Sequence, residues 1–262
     1  MRNTDVFKKH LREKRAVQII DYGFNLDNIK KVSIAAQSGM ASSVCVSASK
    51  ETIKAAKENA KISVFGASYN PFKLLEAMRA GADGIVIGNY DELYKKNILL
   101  TVDDIYEIVV EAMNLTSKYK PFVAVTIPGY MRTEDQIMLA KKLELLGIDL
   151  IQTEGAQMVQ SRAIMGSVGS AKISIGNTME LFDNVGLPIM TMSGLTEKTV
   201  PLAFSAGARG VGVGSCVNKI DTQTGMITKV RDIVGSISYN RRASKELKEE
   251  SLNSVPSFFT FR

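Results

Sequence analysis

Short apolar runs alternate with longer amphipathic segments from one end of the chain to the other. The runs fall at 16–20, 43–47, 62–66, 84–88, 122–126, 150–154, 188–192 and 210–214, mostly rich in Val and Ile and ending in small residues. Between them, segments at 26–37, 50–59, 71–79, 102–117, 134–146, 173–183, 197–206 and 228–238 carry apolar side chains at helical spacing. Strands that lack polar alternation are buried on both faces, and a strand–helix beat makes their sheet parallel. Eight such units in 262 residues fit a (β/α)8 TIM barrel, whose usual size is roughly 250 residues. An open dinucleotide-binding sheet calls for a GxGxxG turn after its first strand, and "IIDYGFNLD" is not one.

One domain over 1–262 is therefore expected. An extra N-terminal helix in 1–15, from Thr4 to about Arg15, is placed to cover the barrel bottom, and 241–262 forms a C-terminal extension. Two longer loops, "NYDELYKKNILLT" at 89–101 and "GAQMVQSRAIMGSVGSAK" at 155–172, emerge at the C-terminal face, where barrels build their sites. The tail "SLNSVPSFFTFR" carries three Phe within five residues, which points to docking in a groove or on a second copy of the chain.

The stretch "AGARGVGVGSC" at 206–216 looks at first like a linker. An internal repeat says otherwise: 65–91 aligns with 191–217 at a constant offset of 126, matching Gly81, Ala82, Gly84 and Gly88 with Gly207, Ala208, Gly210 and Gly214. A weaker third copy, "LLGIDLIQTEG", runs 145–155. One βα unit is thus reused, and 210–214 is the eighth strand. By the period of two, Val211 and Val213 face the helices, while Gly210, Gly212 and Gly214 line the interior and leave its mouth open.

The seventh strand ends in "MTMSGLT", so Ser193-Gly194 and Gly214-Ser215 reach the same face side by side. Backbone N–H groups at such turns attract anions, and the loops after strands seven and eight of many barrels hold a phosphate. Ser193, Gly194, Gly212, Gly214 and Ser215 are the expected phosphate-binding set. By the repeat, Glu154 falls opposite Gly214 with Gln152 also inward; both are candidates for proton transfer, as is Asp21 past the first strand, which alternatively caps the following turn. Ser68 and Asn89, matched by the repeat to Gly194 and Ser215, are candidate contacts to the far end of a ligand.

Composition removes several chemistries. The only histidine is His10, in the charged N-terminal helix, which argues against Ser-His-Asp triads and His-based metal sites. Cys45 and Cys216 lack metal-type spacing and read as free thiols; Cys216 lacks an evident base. No lysine falls inside a strand, since Lys50 starts a helix, which weakens a Schiff-base mechanism. Asp91 and Glu92 read as a solvated loop start, so no metal is expected. Lys+Arg 33 against Asp+Glu 27 leaves +6, much of it at 7–15 and 240–245 without interleaved aromatics, so no nucleic acid is expected. No apolar run reaches 18 residues, and no membrane partner is expected.

"AGADGIVIGNYDELY", "LELLGIDLIQTEG" and "AGARGVGVGSCVN", in this order, resemble the family of hypothetical chloroplast reading frame twenty-three, found in algal plastid genomes and cyanobacteria. The likeness runs from about residue 16 to 220. It implies a TIM barrel in the plastid stroma without a transit peptide, and no established activity. It also implies acidic residues where Cys45 and Val86 stand, which puts any inherited catalysis in question. The leading reading is a lyase, isomerase or epimerase acting on a phosphorylated small molecule. The alternatives are an FMN-dependent oxidoreductase and a non-catalytic barrel that senses a metabolite or scaffolds an assembly.

Overall fold

In a computed structural model the eight apolar runs become eight strands, and the amphipathic segments wrap them. Residues 4–155 and 159–237 are described. The strands are β1 (Ala16–Asp21), β2 (Ser43–Ser47), β3 (Ser63–Ser68), β4 (Gly84–Ile87), β5 (Phe122–Ile127), β6 (Leu150–Thr153), β7 (Ile189–Thr191) and β8 (Gly210–Val213). Each pairs in parallel with the next, and β8 returns to β1 to close the barrel. The helices are α1 (Thr4–Arg12), α2 (Leu26–Ser38), α3 (Lys50–Asn59), α4 (Pro71–Arg79), α5 (Asp91–Lys95), α6 (Val102–Thr116), α7 (Thr133–Leu146), α8 (Val159–Phe182), α9 (Val200–Ser205), α10 (Ser215–Asn218) and α11 (223–237).

Local chemistry starts the helices where the pattern places them. Asn25 and Asn70 accept backbone N–H groups at the heads of α2 and α4, and Pro71 occupies the first turn of α4. Thr101 and Asp104 form a reciprocal capping box on α6. Two segments read as loops are helical: 91–95 forms α5, and α8 begins at Val159 instead of 173, with a kink at Gly166 (φ 58, ψ −169). A run of small residues at 166–171 conceals that helix from an apolar-periodicity reading. The C-terminal extension lies outside the described residues.

Two apolar layers hold the barrel. The outer one joins the outward strand residues, among them Val17, Val44, Ile85, Val125, Ile151, Val211 and Val213, to the helices. The inner one fills the lumen with Ala16, Cys45, Phe65, Ala67, Val86, Phe122, Ala124, Leu150, Met190 and Met192. At the bottom α1 inserts Phe7, whose ring lies 5.1 Å from Phe65 and 5.4 Å from Phe122, so three rings seal the floor. Burial of one such ring is worth about 3–5 kcal/mol against alanine.

The repeat is real but not uniform. Gly84 pairs with Phe65 and Gly210 with Met190, so β4 maps on β8 at 126 whereas β3 maps on β7 at 125. By register, Ser68 therefore matches Ser193 and not Gly194. The glycines of β8 also differ from the expected open row. Side chains of β1 and β7 fill two places: a Cβ on Gly210 would meet Ala16 and Met190 at 2.9 Å, and one on Gly212 would meet Met192 at 2.8 Å. Only at Gly214 is there room, with Ile20 O nearest at 3.4 Å.

Candidate functional site

A cavity of about 430 Å³ opens at the C-terminal mouth. One wall comes from the turns after β7 and β8: Ser193, Gly194, Leu195, Gly212, Gly214 and Ser215 all line it, with Lys219 at the edge. Ser193 and Gly194 are both left-handed, at φ 73 and φ 69. That geometry costs a non-glycine residue about 1–2 kcal/mol and turns successive N–H groups to one side. Among the described residues, the N–H groups of Gly194 and Ser215 donate to no protein acceptor. The five residues expected to bind phosphate are thus brought together at one cavity.

The neighbouring strand carries the acid: β6 pairs with β7, and the residue after β6 is Glu154. Glu154 is 7% exposed, lines the cavity, and accepts the Tyr94 hydroxyl proton at 2.7 Å on Oε2. Tyr94 comes from α5, is buried, and lies edge-on to Tyr130 at 5.6 Å and near Tyr90 at 6.1 Å. Burial first, then the Glu154 charge, push its phenol far above the ordinary tyrosine range. Tyr94 therefore stays a donor and fixes the carboxylate. Tyr90 donates to Thr126 O at 3.1 Å and Tyr130 to Leu100 O at 2.8 Å, so their own hydroxyls are committed to backbone.

Gln152 points inward as expected but lies one layer below the cavity. Its Oε1 accepts from Thr126 Oγ1 at 3.1 Å and its Nε2 donates to Gln18 Oε1 at 3.2 Å. Gln18 in turn donates to Ser43 Oγ at 3.2 Å, which completes a polar chain across the lumen. Satisfied amides of this kind hold geometry; they do not move protons. Gln152 positions Thr126, which does line the cavity.

Two expected site residues are elsewhere. Asp21 belongs to β1 at an outward register and accepts from Gly23 N at 3.0 Å and Asn28 Nδ2 at 2.8 Å. It is the turn cap, the alternative its sequence position allowed, and it does not line the cavity as a proton-transfer group would. Ser68 accepts from Asn70 N at 3.0 Å ahead of the α4 cap and does not line the cavity. Asn89 does line it, in a left-handed conformation at φ 61.

Tyr22, Asp91, Thr126, Ser170 and Lys219 also line the cavity, although sequence reasoning did not select them. Asp91 read as solvated because its loop hid a helix turn. Thr126 shares the inward parity of Phe122 and Ala124, and that parity was signal enough to find it. Burial, then the charge of Glu197, raise the Cys216 thiol to about 11, so it stays protonated at neutral pH. Among the described residues no group of three His, Cys, Asp or Glu side chains is arranged to hold a metal ion, and no helix is long and apolar enough to cross a membrane.

Relatives align along nearly their whole length. One from Cyanidium caldarium, "Uncharacterized protein ycf23", is 32% identical over 237 residues, covering 87% of this chain and 94% of its own. Among solved structures, a 3-hexulose-6-phosphate synthase superposes with a TM-score of 0.64 at 13% identity, covering 85% of this chain and 99% of that one. A geranylgeranylglyceryl phosphate synthase from Thermoplasma acidophilum, solved in complex with its substrate sn-glycerol-1-phosphate, gives 0.62 at 16%, covering 88% and 98%. At these identities the structural likeness is one of fold, and it confirms the TIM barrel. The family described as protein of unknown function DUF561 matches residues 1–243, and the chain belongs to it.

Proposed function

We propose that the mouth binds a phosphorylated small metabolite and that Glu154 transfers a proton on it, in a lyase, isomerase or epimerase reaction. One observation carries the reading: the turns after β7 and β8 meet at one cavity, and the N–H groups of Gly194 and Ser215 have no protein acceptor among the described residues. A phosphate there accepts both amides, and Lys219 at the edge adds a positive charge. Binding energy gathered at the phosphate holds the reacting carbon beside Glu154, which Tyr94 keeps in one orientation. Two of the solved structures similar to this chain are named for phosphorylated compounds, which supports the ligand class.

FMN presents a phosphate of the same kind and is the second occupant we propose for these turns; no residue geometry prefers it. The relatives' shared designation supports a plastid setting, and the stroma is the compartment we propose.

Native mass spectrometry of the full chain purified from cells tests the reading. A retained mass matching a phosphorylated metabolite, lost in Gly214→Asp, is the expected result. A retained flavin selects the oxidoreductase. A panel of phosphate esters that neither binds nor stabilises the protein overturns the site.

A further inference from the structure

The three copies of the repeat differ at one position on the bottom face. Asp83 ends the turn before β4, Asp149 the turn before β6, and Arg209 the turn before β8. The backbone plays the same part each time: N–H of Asp83 donates to Val64 O at 2.8 Å, N–H of Asp149 to Val123 O at 2.9 Å, and N–H of Arg209 to Ile189 O at 2.7 Å. In the first two copies the side chain completes a clasp. Asp83 Oδ2 accepts from Val64 N at 2.8 Å, and Asp149 Oδ2 accepts from Val123 N at 2.9 Å. Each acid also has a lysine, Lys57 at 2.9 Å and Lys8 at 3.5 Å. A guanidinium accepts nothing, so Arg209 cannot form this clasp.

Arg209 instead lines a second cavity of about 350 Å³ at the bottom of the barrel, remote from the mouth. Arg12 and Lys8 reach the same cavity from α1, over walls formed by Leu11, Phe122, Gly186 and Pro188, and Asp149 lines it as well. Lys8 is held by Asp149 and lies 5.3 Å from the centre of the Phe122 ring. Arg12 and Arg209 have no carboxylate partner among the described residues. A cationic fork of a half-buried Arg209 and an exposed Arg12 beside apolar walls is the complement of an anion carried on an apolar body.

We propose that this bottom cavity is a second ligand site, for a small organic carboxylate with a flat apolar body. Its carboxylate takes the fork of Arg209 and Arg12, and its body lies against Leu11, Phe122 and Pro188. The ligand supplies in the third copy a carboxylate–cation pairing like those of Asp83 with Lys57 and Asp149 with Lys8. It also bridges α1 to the β7–β8 turn, so its binding fastens the helix that closes the floor. The site is independent of the proposed phosphate cradle.

Calorimetric titration of the full chain with 2-naphthoate, beside the neutral 2-naphthamide, is the test. The carboxylate should bind saturably and the amide roughly ten-fold more weakly or worse, the effect of one lost charge-assisted pair. Arg12→Gln with Arg209→Gln should weaken naphthoate by at least about ten-fold, and Arg209→Lys by less. Arg209→Asp should abolish binding while keeping or raising the melting temperature, because it restores the residue type of the other copies. Gly214→Asp should leave naphthoate binding unchanged. Equal binding of the amide, undiminished binding in Arg209→Asp, or no saturation at millimolar naphthoate overturns the proposal.

Discussion

The β3–β4 and β7–β8 units have a common sequence origin in the repeat, yet one is shut at the mouth and the other open. In the first, Gly88 N–H donates to Ser68 O at 3.3 Å, Ser68 Oγ accepts from Asn70 N at 3.0 Å, and Asn70 caps α4. A Cβ on Gly88 would land on Thr126, with Thr126 Cβ at 2.8 Å. In the second, no such backbone bond runs from Gly214 N–H to Ser193 O among the described residues, and a Cβ on Gly214 meets nothing closer than 3.4 Å. The ladder is also shorter: four residue pairs join β3 to β4, and two join β7 to β8. Cohesion closes the first unit. The second gives up two pairs and gains exposed donors. One strand–turn unit therefore serves as structure or as a binding place, depending on whether its last amides find partners within the protein.

Four experiments test that contrast. The largest effect belongs to the terminal glycines. Gly214→Asp should weaken binding of a phosphate ester by roughly a hundred-fold or more, through a negative charge in the cradle, with little change in melting temperature. Gly88→Ala should do the opposite, leaving the cradle intact while overpacking against Thr126 lowers stability by about 1–3 kcal/mol in denaturant titration. If both variants lose stability alike and neither loses binding, the open-and-shut distinction is wrong.

Next comes the pair that ends α4 and α9. Gly81 and Gly207 are left-handed at φ 99 and φ 103, so alanine strains both backbones by about 1 kcal/mol. Only at Gly207 does the new Cβ strike a ring, with Phe182 Cγ at 2.5 Å, whereas Gly81 has open space. Gly207→Ala should therefore cost at least about 1 kcal/mol more than Gly81→Ala. Equal melting temperatures would show that the turns are equivalent after all. Ser68→Ala should remove a single turn hydrogen bond, about 0.5–1.5 kcal/mol, without altering ligand affinity. A fall in affinity would return Ser68 to the site.

The smallest effect at neutral pH concerns the shut side of the lumen. Burial raises the Cys45 thiol from its ordinary 9.0 to about 12, and the Tyr22 hydroxyl opposes this only in part. A folded value above the unfolded one gives stability that is complete below pH 9 and is lost as pH rises from 9 towards 12. Cys45→Ala should flatten that alkaline decline relative to the unsubstituted chain, measured by melting temperature across the interval. An unchanged decline would place its cause elsewhere.

The fold was largely legible because its signal is repetitive. Eight buried runs and a unit ending in Ala-Gly-Ala determine a closed barrel, and the residues of the two open turns follow from their place at strand ends. Legibility stopped where polarity and small size mask order. The 91–95 helix is short and charged, and the start of α8 is rich in glycine and serine, so neither shows an apolar stripe. The one-residue shift between β3 and β7 was hidden because the helices that follow return to the common offset. Asp21 was legible as a turn cap but not excluded as an acid, because only the continuation of β1 one residue beyond 16–20 carries the alternation on and turns it outward. Glu154 was placed correctly, but its tyrosine partner was not, since Tyr94 reaches it across 60 residues of sequence.

The ring of Phe7 has a meaning for assembly. Its partners, Phe65 and Phe122, lie far downstream, and the second belongs to the fifth strand. Helix α1 is made before both partners and thus has no seat until more than half the staves exist and have begun to curl. Contacts of such long range settle slowly, so the stopper goes in late. Its insertion is an internal check that the cylinder has started to close.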